Sequence, residues 1–274
     1  MRARRTTRTS GAVEISVVIP SLNSGRYIGE AVQSAVDQRP MPHEVIVQDG
    51  GSTDGTLEVL REFGPAVRVR SEPDEGQADA LNRAIERTTG NVVLWLNADD
   101  LLIAGAFAAV TAAYQENPDA DFVYGDFEVV DGEGSTLRRF RSSPYDPKRV
   151  FFHGCYIFSG AIFFRRETME RVGQFDPRLQ TCMDFDYLMR IGEAHAMHVP
   201  QPVARFRLNP GQKSAAMRTR FLKESHEIRW RAAGRSASRR LLVVMLSARD
   251  AVYLLTHRLR FSSAWSTIRR NRQL

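Results

Sequence analysis

Cysteine is scarce in this chain. Cys155 and Cys182 are its only two. They build no disulfide framework and show no metal-ligand spacing, and their scarcity points to a reducing compartment. Long apolar runs are also missing. The longest in the C-terminal region, Leu241 to Leu246, falls far short of the roughly 20 residues that span a bilayer. The N-terminus carries Arg2, Arg4, Arg5 and Arg8 but no apolar run after them, so it does not read as a secretion signal. A soluble or peripheral protein is expected, in the cytoplasm or at the cytoplasmic face of a membrane. Histidine is sparse too, and His153, His195 and His198 show no ligand spacing. They read as ordinary surface or core residues.

At 274 residues the chain is long enough for one sizeable core with a small appendage. The net charge of +6 is uneven. From Ala215 onward fourteen Lys/Arg face only Glu224, Glu227 and Asp250, so the basic character belongs to the tail and the remainder is mildly acidic. No internal repeat or low-complexity linker appears. Residues 1–13, basic and Thr-rich, read as a disordered start.

Strand and helix signals then alternate. Ile15 to Ile19 is a short β-branched run, and Tyr27 to Val36 has helical apolar spacing. Glu44 to Val47 reads as a second strand, followed by a helix through Leu60 and Phe63. Val67 and Val69 mark a third strand, and Ala78 to Ile85 a helix. Val92 to Leu96 is the fourth strand and Ala104 to Tyr114 a further helix. Short loops and strict alternation predict an α/β fold with a mostly parallel central sheet flanked by helices. After Asp121 the rhythm changes. Phe122 to Tyr124 and Phe127 to Val130 read as strands around a turn at Gly125-Asp126, and Asp131 to Gly134 as a hairpin turn. Ala161 to Phe164 and Val203 to Leu208 read as strands, and Asp184 to Ile191 as a helix. This half is expected to extend the same sheet.

The most informative stretch is Leu94-Trp95-Leu96-Asn97-Ala98-Asp99-Asp100. Apolar residues end abruptly in an amide and two carboxylates, as when a buried strand delivers acids to its C-terminal end. Ligands of open α/β sheets bind at that end. Adjacent carboxylates repel, and a hard cation such as Mg²⁺ or Mn²⁺ would relieve them. The competing reading is a polar turn capping the next helix. Three more polar clusters follow earlier strands: Pro20-Ser21-Leu22-Asn23, Asp49-Gly50-Gly51-Ser52-Thr53-Asp54-Gly55-Thr56, and Asp74 to Asn82.

Taken in order, these segments resemble the inverting family 2 glycosyltransferases of the GT-A (nucleotide-diphospho-sugar transferase) fold, over residues 14–214. The resemblance implies transfer of a sugar from a UDP- or dTDP-linked donor to a hydroxyl acceptor, a saccharide or glycolipid, in cell-envelope synthesis. Asp49 matches the aspartate that accepts the ring imide of a uracil-type base, and Pro20, Ser21 and Asn23 would lie along base and ribose. Gln77 and Asp79 would face the nucleotide, or else cap a helix. Asn97-Ala98-Asp99 matches the Asp-X-Asp metal motif with an amide in first place. Asp99 takes the metal position, and Asp100 would contact the donor sugar or orient Asp99.

The second half supplies the acceptor side. Ser159 and Gly160 belong to a segment resembling the floor of the acceptor site. Thr181 to Arg190 matches the Glu-Asp motif, with Met183 replacing the first acid and Asp184 standing as general base. Asp186 is the rival base or an acceptor contact, and either acid can equally be a helix N-terminal carboxylate. Arg207 and Lys213 would hold the diphosphate or be solvated loop charges. Asn209 stands where many relatives have His, which together with Asn97 implies a weaker metal site.

Two other classes compete. A nucleotidyltransferase shares the layout, but Pro20 to Gly25 lacks the basic phosphate loop. A catalytically degenerate sugar-nucleotide or glycan binding module is compatible with Asn97 and Met183. Residues 215–274 read as a basic amphipathic helical tail, with Leu241, Leu242, Met245, Leu246, Ala248, Val252, Leu255 and Leu259 on a stripe. Either the stripe packs on the catalytic domain, or it meets an anionic membrane surface. No base-reading module accompanies the charge, which argues against nucleic acid.

Overall fold

The computed structural model of the chain describes residues 11–209 and 217–252. It divides into two compact units, Met1–Pro210 and Gly211–Leu274. Residues 1–10 and 253–274, which include the basic start and the distal part of the tail, lie outside the described residues, as does the loop carrying Lys213.

In the first unit, β1 (Ile15–Ser21), β2 (Glu44–Asp49), β3 (Arg68–Ser71) and β4 (Val92–Trp95) form a parallel array in the order β3-β2-β1-β4. Every residue of β1 and β4 is buried. That explains their unbroken apolar character, since a strand covered on both faces needs no polar alternation. By contrast β3 lies at the edge with all four residues exposed, and Arg68 and Arg70 there discourage edge-to-edge pairing. Helices α1 (Ile28–Val36), α2 (Thr56–Arg61) and α3 (Gln77–Glu86) make the crossovers.

Beyond β4 come β5 (Leu101–Leu102), α4 (Ala106–Glu116), β6 (Phe122–Val130), β7 (Thr136–Phe140), α5 (Pro147–His153), β8 (Ile162–Arg165), α6 (Arg166–Val172), α7 (Met183–Ile191) and β9 (Ala196–Arg207). These strands do extend the same sheet. β8 runs antiparallel between β4 and β6, and β6 pairs parallel with β9. The result is a mixed nine-stranded sheet, parallel through its first four strands.

Four local details differ from the sequence reading. The helix expected from Ala104 begins at Ala106, after Gly105 with φ +85°. Leu101 and Leu102 form a strand antiparallel to β9, Leu101 opposite Arg205. No turn interrupts Gly125-Asp126, because β6 runs through it; what breaks there is the register against β9. A Cβ on Gly125 would meet the Val203 side chain at 2.6 Å, so only glycine admits this close approach. β9 also starts earlier than Val203 and absorbs Pro200 and Pro202 at the irregularity, where a missing N–H costs no ladder bond. The elements β7, α5 and α6 are short and carry no strong period. α5 is set by Asp146, whose side chain accepts from Lys148 N at 2.8 Å, and by Pro147 in its first turn.

The described residues of the second unit are helical, as the sequence suggests. A helix over Arg218–Ala233 ends at Gly234, and residues 237–252 are helical again. Ile228, Val243 and Leu246 are buried. The Arg229–Asp250 ion pair at 2.7 Å and a His226–Ser247 hydrogen bond at 2.8 Å join the two helices.

One buried polar tie fixes α3 against the segment before α7. Asn82 donates to Phe175 O and accepts from Phe175 N, each at 2.9 Å. Asn82→Ala leaves both buried backbone groups unpaired. It is expected to lower unfolding free energy by about 2–3 kcal/mol in urea titration at neutral pH; an unchanged midpoint would show that the tie contributes nothing.

Candidate active site

The four polar clusters of the first half follow β1, β2, β3 and β4, all at the C-terminal ends of the parallel strands. The first two clusters lock together. Asn23 adopts φ +50°, a left-handed conformation that Asn tolerates better than most residues. Its Oδ1 accepts from Thr53 N at 2.9 Å, and its N donates to Ser52 Oγ at 2.7 Å. Ser24 N donates to Thr56 Oγ1, and Gly25 N to Asp54 Oδ2.

Asp49 lies beneath this latch and is fully buried. Its carboxylate accepts from Gly51 N at 3.1 Å, Ser52 N at 2.9 Å, Ser52 Oγ at 2.5 Å and Ser71 Oγ at 2.7 Å. Three of these bonds fall on Oδ2 and one on Oδ1, so one of the roughly four acceptor sites of a carboxylate stays open on Oδ1. The sequence reading gave Asp49 the imide of the base. The geometry adds that Asp49 also shapes this loop. Pro20 and Ser21 are buried at the end of β1. Asp74 stands over Gly50, where a Cβ would come within 2.6 Å of its Oδ2, and its Oδ1 accepts from Gly76 N at 2.9 Å. Asp79 accepts from Glu75 N at 3.0 Å and pairs with Arg83 at 2.7 Å, so its carboxylate braces the chain entering α3.

Asn97 is a hub. Its Oδ1 accepts from Gln77 Nε2 at 2.8 Å and from Trp95 Nε1 at 2.9 Å, while its Nδ2 donates to Asp100 Oδ2 at 2.7 Å. An aspartate here would satisfy the first two donors but oppose a third carboxylate to Asp100. This accounts for the amide in the first position of the acidic motif. Ala98 is buried.

Asp100 is fully buried and accepts from Arg207 N at 3.0 Å. It therefore faces the end of β9 and not the cleft. Arg207 is 1% exposed. Its guanidinium donates to Asp99 O at 3.0 Å and Gly132 O at 2.8 Å, pairs with Glu30 at 2.5 Å and lies over the Tyr27 ring. The expected diphosphate contact is thus a buried clamp on the acidic loop. Asp99 is half-buried, and its Oδ2 accepts from Asn209 Nδ2 at 2.6 Å. Burial raises the pKa of both acids; for Asp100 the neighbouring charge of Asp99 adds to it.

On the acceptor side, Ser159 and Gly160 form a 3-10 turn before β8. The Phe158 ring folds back over Gly160, where a Cβ would come within 2.8 Å of it. Asp184 and Asp186 both lie in the first turn of α7, yet they differ. Asp186 is buried and paired with Arg190 at 2.8 Å. Arg190 in turn donates to Val172 O and Gln174 O, so this pair pins α7 to the preceding loop. Asp184 is half-buried, with one oxygen accepting from Phe185 N at 2.7 Å. Burial raises its pKa against that hydrogen bond and one with the Cys155 thiol. Met183 is buried and acts as core.

Sequence reasoning missed three contributors. Cys155 sits against Asp184, and burial pushes its thiol well up. Gln180 packs on Gly76, where φ is +121° and a Cβ would come within 2.8 Å of it. Trp95, read as core, also props Asn97, with Phe175 and Tyr187 stacked behind it. Cys155 and Gln180 lie outside the quoted motifs, and Trp95 stands beside one as an apolar strand residue, so only the fold shows these contacts.

The glycosyl transferase family 2 model matches residues 16–173, the span that holds all four strand-end clusters. The chain belongs to glycosyl transferase family 2. It is 33% identical over 180 residues to a PGL/p-HBAD biosynthesis glycosyltransferase of Mycobacterium bovis, covering 64% of this chain and 68% of that protein. Its fold is similar to that of S. aureus TarS 1-349 in complex with UDP-GlcNAc, with TM-score 0.65 and 18% identity over 89% of this chain and 73% of that one. It is also similar to the mannosyltransferase PcManGT of Pyrobaculum calidifontis in complex with GDP-Man and Mn²⁺. There the TM-score is 0.60 and the identity 22%, over 94% and 81% of the two chains. The protein is a GT-A-fold glycosyltransferase.

Among the described residues of this glycosyltransferase no three His, Cys, Asp or Glu converge as a metal cage. The acidic loop instead offers one half-exposed carboxylate, Asp99. That donor set fits an ion carried mainly by a substrate diphosphate, as Mg²⁺ commonly is.

Asn97→Asp tests the hub. The Nδ2 donor 2.7 Å from Asp100 becomes an acceptor, and two carboxylates at that distance do not both ionise. Groups whose folded pKa is raised give stability at low pH and lose it as pH rises. The variant is therefore expected to be destabilised by about 1–3 kcal/mol at neutral pH and by less at mildly acidic pH, in paired urea titrations. A cost that grows on acidification would contradict the geometry.

Proposed function

We propose that this glycosyltransferase inverts: it moves a sugar from a nucleotide-diphospho-sugar to a hydroxyl of a saccharide or glycolipid acceptor, with Asp184 as base. The observation that carries this reading is the contrast within α7. Asp186 is buried and consumed by Arg190, whereas Asp184 is half-buried with a raised pKa. A raised carboxylate pKa brings the base closer to the working pH and improves proton acceptance.

The acceptor O–H proton passes to Asp184 as the oxygen forms its bond to the anomeric carbon. The bond from that carbon to the diphosphate breaks, and the nucleoside diphosphate leaves with its electron pair. Attack from the face opposite the leaving group inverts the configuration. Pro20, Ser21 and Asn23 line the base and ribose, with Gln77, Asn97 and Ala98 nearer the sugar. Asp79, Asp100 and Arg207 hold those groups in place rather than touching the donor. Ser159 and Gly160 form the floor for the acceptor. Mg²⁺ or Mn²⁺ held by Asp99 and the side-chain oxygen of Asn209 would add positive charge where negative charge builds on the departing diphosphate. A UDP- or dTDP-linked donor is the working assignment, and nucleotide release across UDP-, dTDP- and GDP-sugars decides it.

Two outcomes are expected. With wild-type enzyme, kcat/KM rises with pH through a pKa above the ordinary aspartate value of about 3.9, because only ionised Asp184 accepts a proton. Asp184→Asn removes that limb and lowers transfer by a factor on the order of 10² to 10⁴, while calorimetry shows donor binding retained. An active Asp184→Asn enzyme would remove Asp184 from the mechanism. Chelation is expected to weaken donor binding, with Asp99→Ala reproducing the effect. Full transfer in chelator would remove the ion from the account.

A further inference from the structure

The second unit has two unlike faces on the helix over residues 237–252. Val243 and Leu246 are buried, and Asp250 pairs with Arg229 on the same side. On the other side Leu241, Val244, Met245 and Val252 are 51–64% exposed, and Ala248 is exposed between them. Their spacing, i, i+3, i+4, i+7 and i+11, is one face of a helix of 3.6 residues per turn. The tail stripe read from the sequence thus splits, with Leu246 on the buried face and Leu241, Met245, Ala248 and Val252 on the open one. Open methyl and thioether groups in a row are unusual on a soluble surface unless they meet a partner.

The surrounding charge selects the partner. Residues 217–252 hold nine Lys/Arg against Glu224, Glu227 and Asp250. Glu224 is buried and paired with Arg220, and Asp250 is paired with Arg229 and Arg249. The net charge over these residues is therefore positive, with Lys223, Arg235 and Arg239 exposed. A second copy would bring the same positive surface and be repelled. No described helix is long and apolar enough to cross a membrane. An apolar stripe on a basic helix fits the plane of an anionic bilayer surface, with the stripe at the acyl boundary and arginines at the headgroups.

We propose that the stripe Leu241, Val244, Met245, Ala248 and Val252 docks this glycosyltransferase flat on an anionic lipid surface. Hydrophobic contact and charge act together, and neither spans the bilayer. The inference rests on the second unit alone and does not depend on the mechanism at Asp184.

The test uses the full chain and co-sedimentation with vesicles. One set is equal parts phosphatidylcholine and phosphatidylglycerol, and the other is phosphatidylcholine alone. Wild type is expected to sediment with the anionic vesicles, and to do so less as salt rises. The exposed-face variant L241S/V244S/M245S is expected to lose binding at least about tenfold with unchanged helical circular dichroism. Arg235→Gln with Arg239→Gln is expected to lower binding about tenfold or more, at roughly 1 kcal/mol per charge near the surface. Wild type remaining in the supernatant would overturn the proposal. So would a triple-serine variant that binds as well as wild type, since the rest of the tail would then carry the attachment. Concentration-dependent dimers that vanish in the variant, without vesicle binding, would make the stripe a contact between copies and equally overturn it.

Discussion

A fully buried carboxylate ties the two halves of the catalytic unit together. Asp100, at the end of the loop after β4, accepts from the Asn97 side chain and from the backbone N–H of Arg207 at the end of β9. Burying a charge is expensive unless it is hydrogen-bonded, and these bonds make that cost bearable only when the loop after β4 meets the end of β9. Leu101 and Leu102 then fall into register against Arg205 and Ala204. Arg207, itself buried, closes the arrangement through Asp99 O, Gly132 O and Glu30. Asp99 and Asn209 are left beside one another at the mouth. Much of what distinguishes this acidic loop, including its amide in first place, follows from keeping Asp100 satisfied.

In the proposed mechanism the same logic separates groups that position from groups that face substrate. Asp79, Asp100, Asp186 and Arg207 spend their charge on the chain. Asp99 and Asp184 are only half-buried. Preorganised surroundings of this kind lower the cost of holding reacting groups in place. Asn82 and Gln180 extend the scaffold by binding the α3 region to the segments before α7.

The parallel half of the fold was legible in sequence because β1 and β4 are buried on both faces and leave unbroken apolar runs that stop at polar clusters. The family was legible from the order of those clusters. Less so were strands whose pairing is settled by distant partners. Leu101 and Leu102 carry no strand signal of their own and pair only once Asp100 binds Arg207, and the Gly125-Asp126 pair looks like a turn until Val203 packs on Gly125. Site roles were only partly legible, since residue type shows that a group is charged but not who already holds it. Asp49 and Arg207 were read as ligand contacts from the family resemblance, which does not show the hydrogen bonds they make with Ser52, Ser71, Asp99 and Gly132. Cys155 had no signal, because its contact with Asp184 joins residues 29 positions apart.

The central claim is single-step transfer with Asp184 accepting the proton, and its stereochemical consequence can be measured directly. With any α-linked nucleotide-sugar that turns over, proton NMR of the fresh product reports the configuration at the anomeric carbon. The account predicts a β-linked product from the first turnover. An α-linked product would mean retention, and would contradict direct attack by an acceptor deprotonated at Asp184.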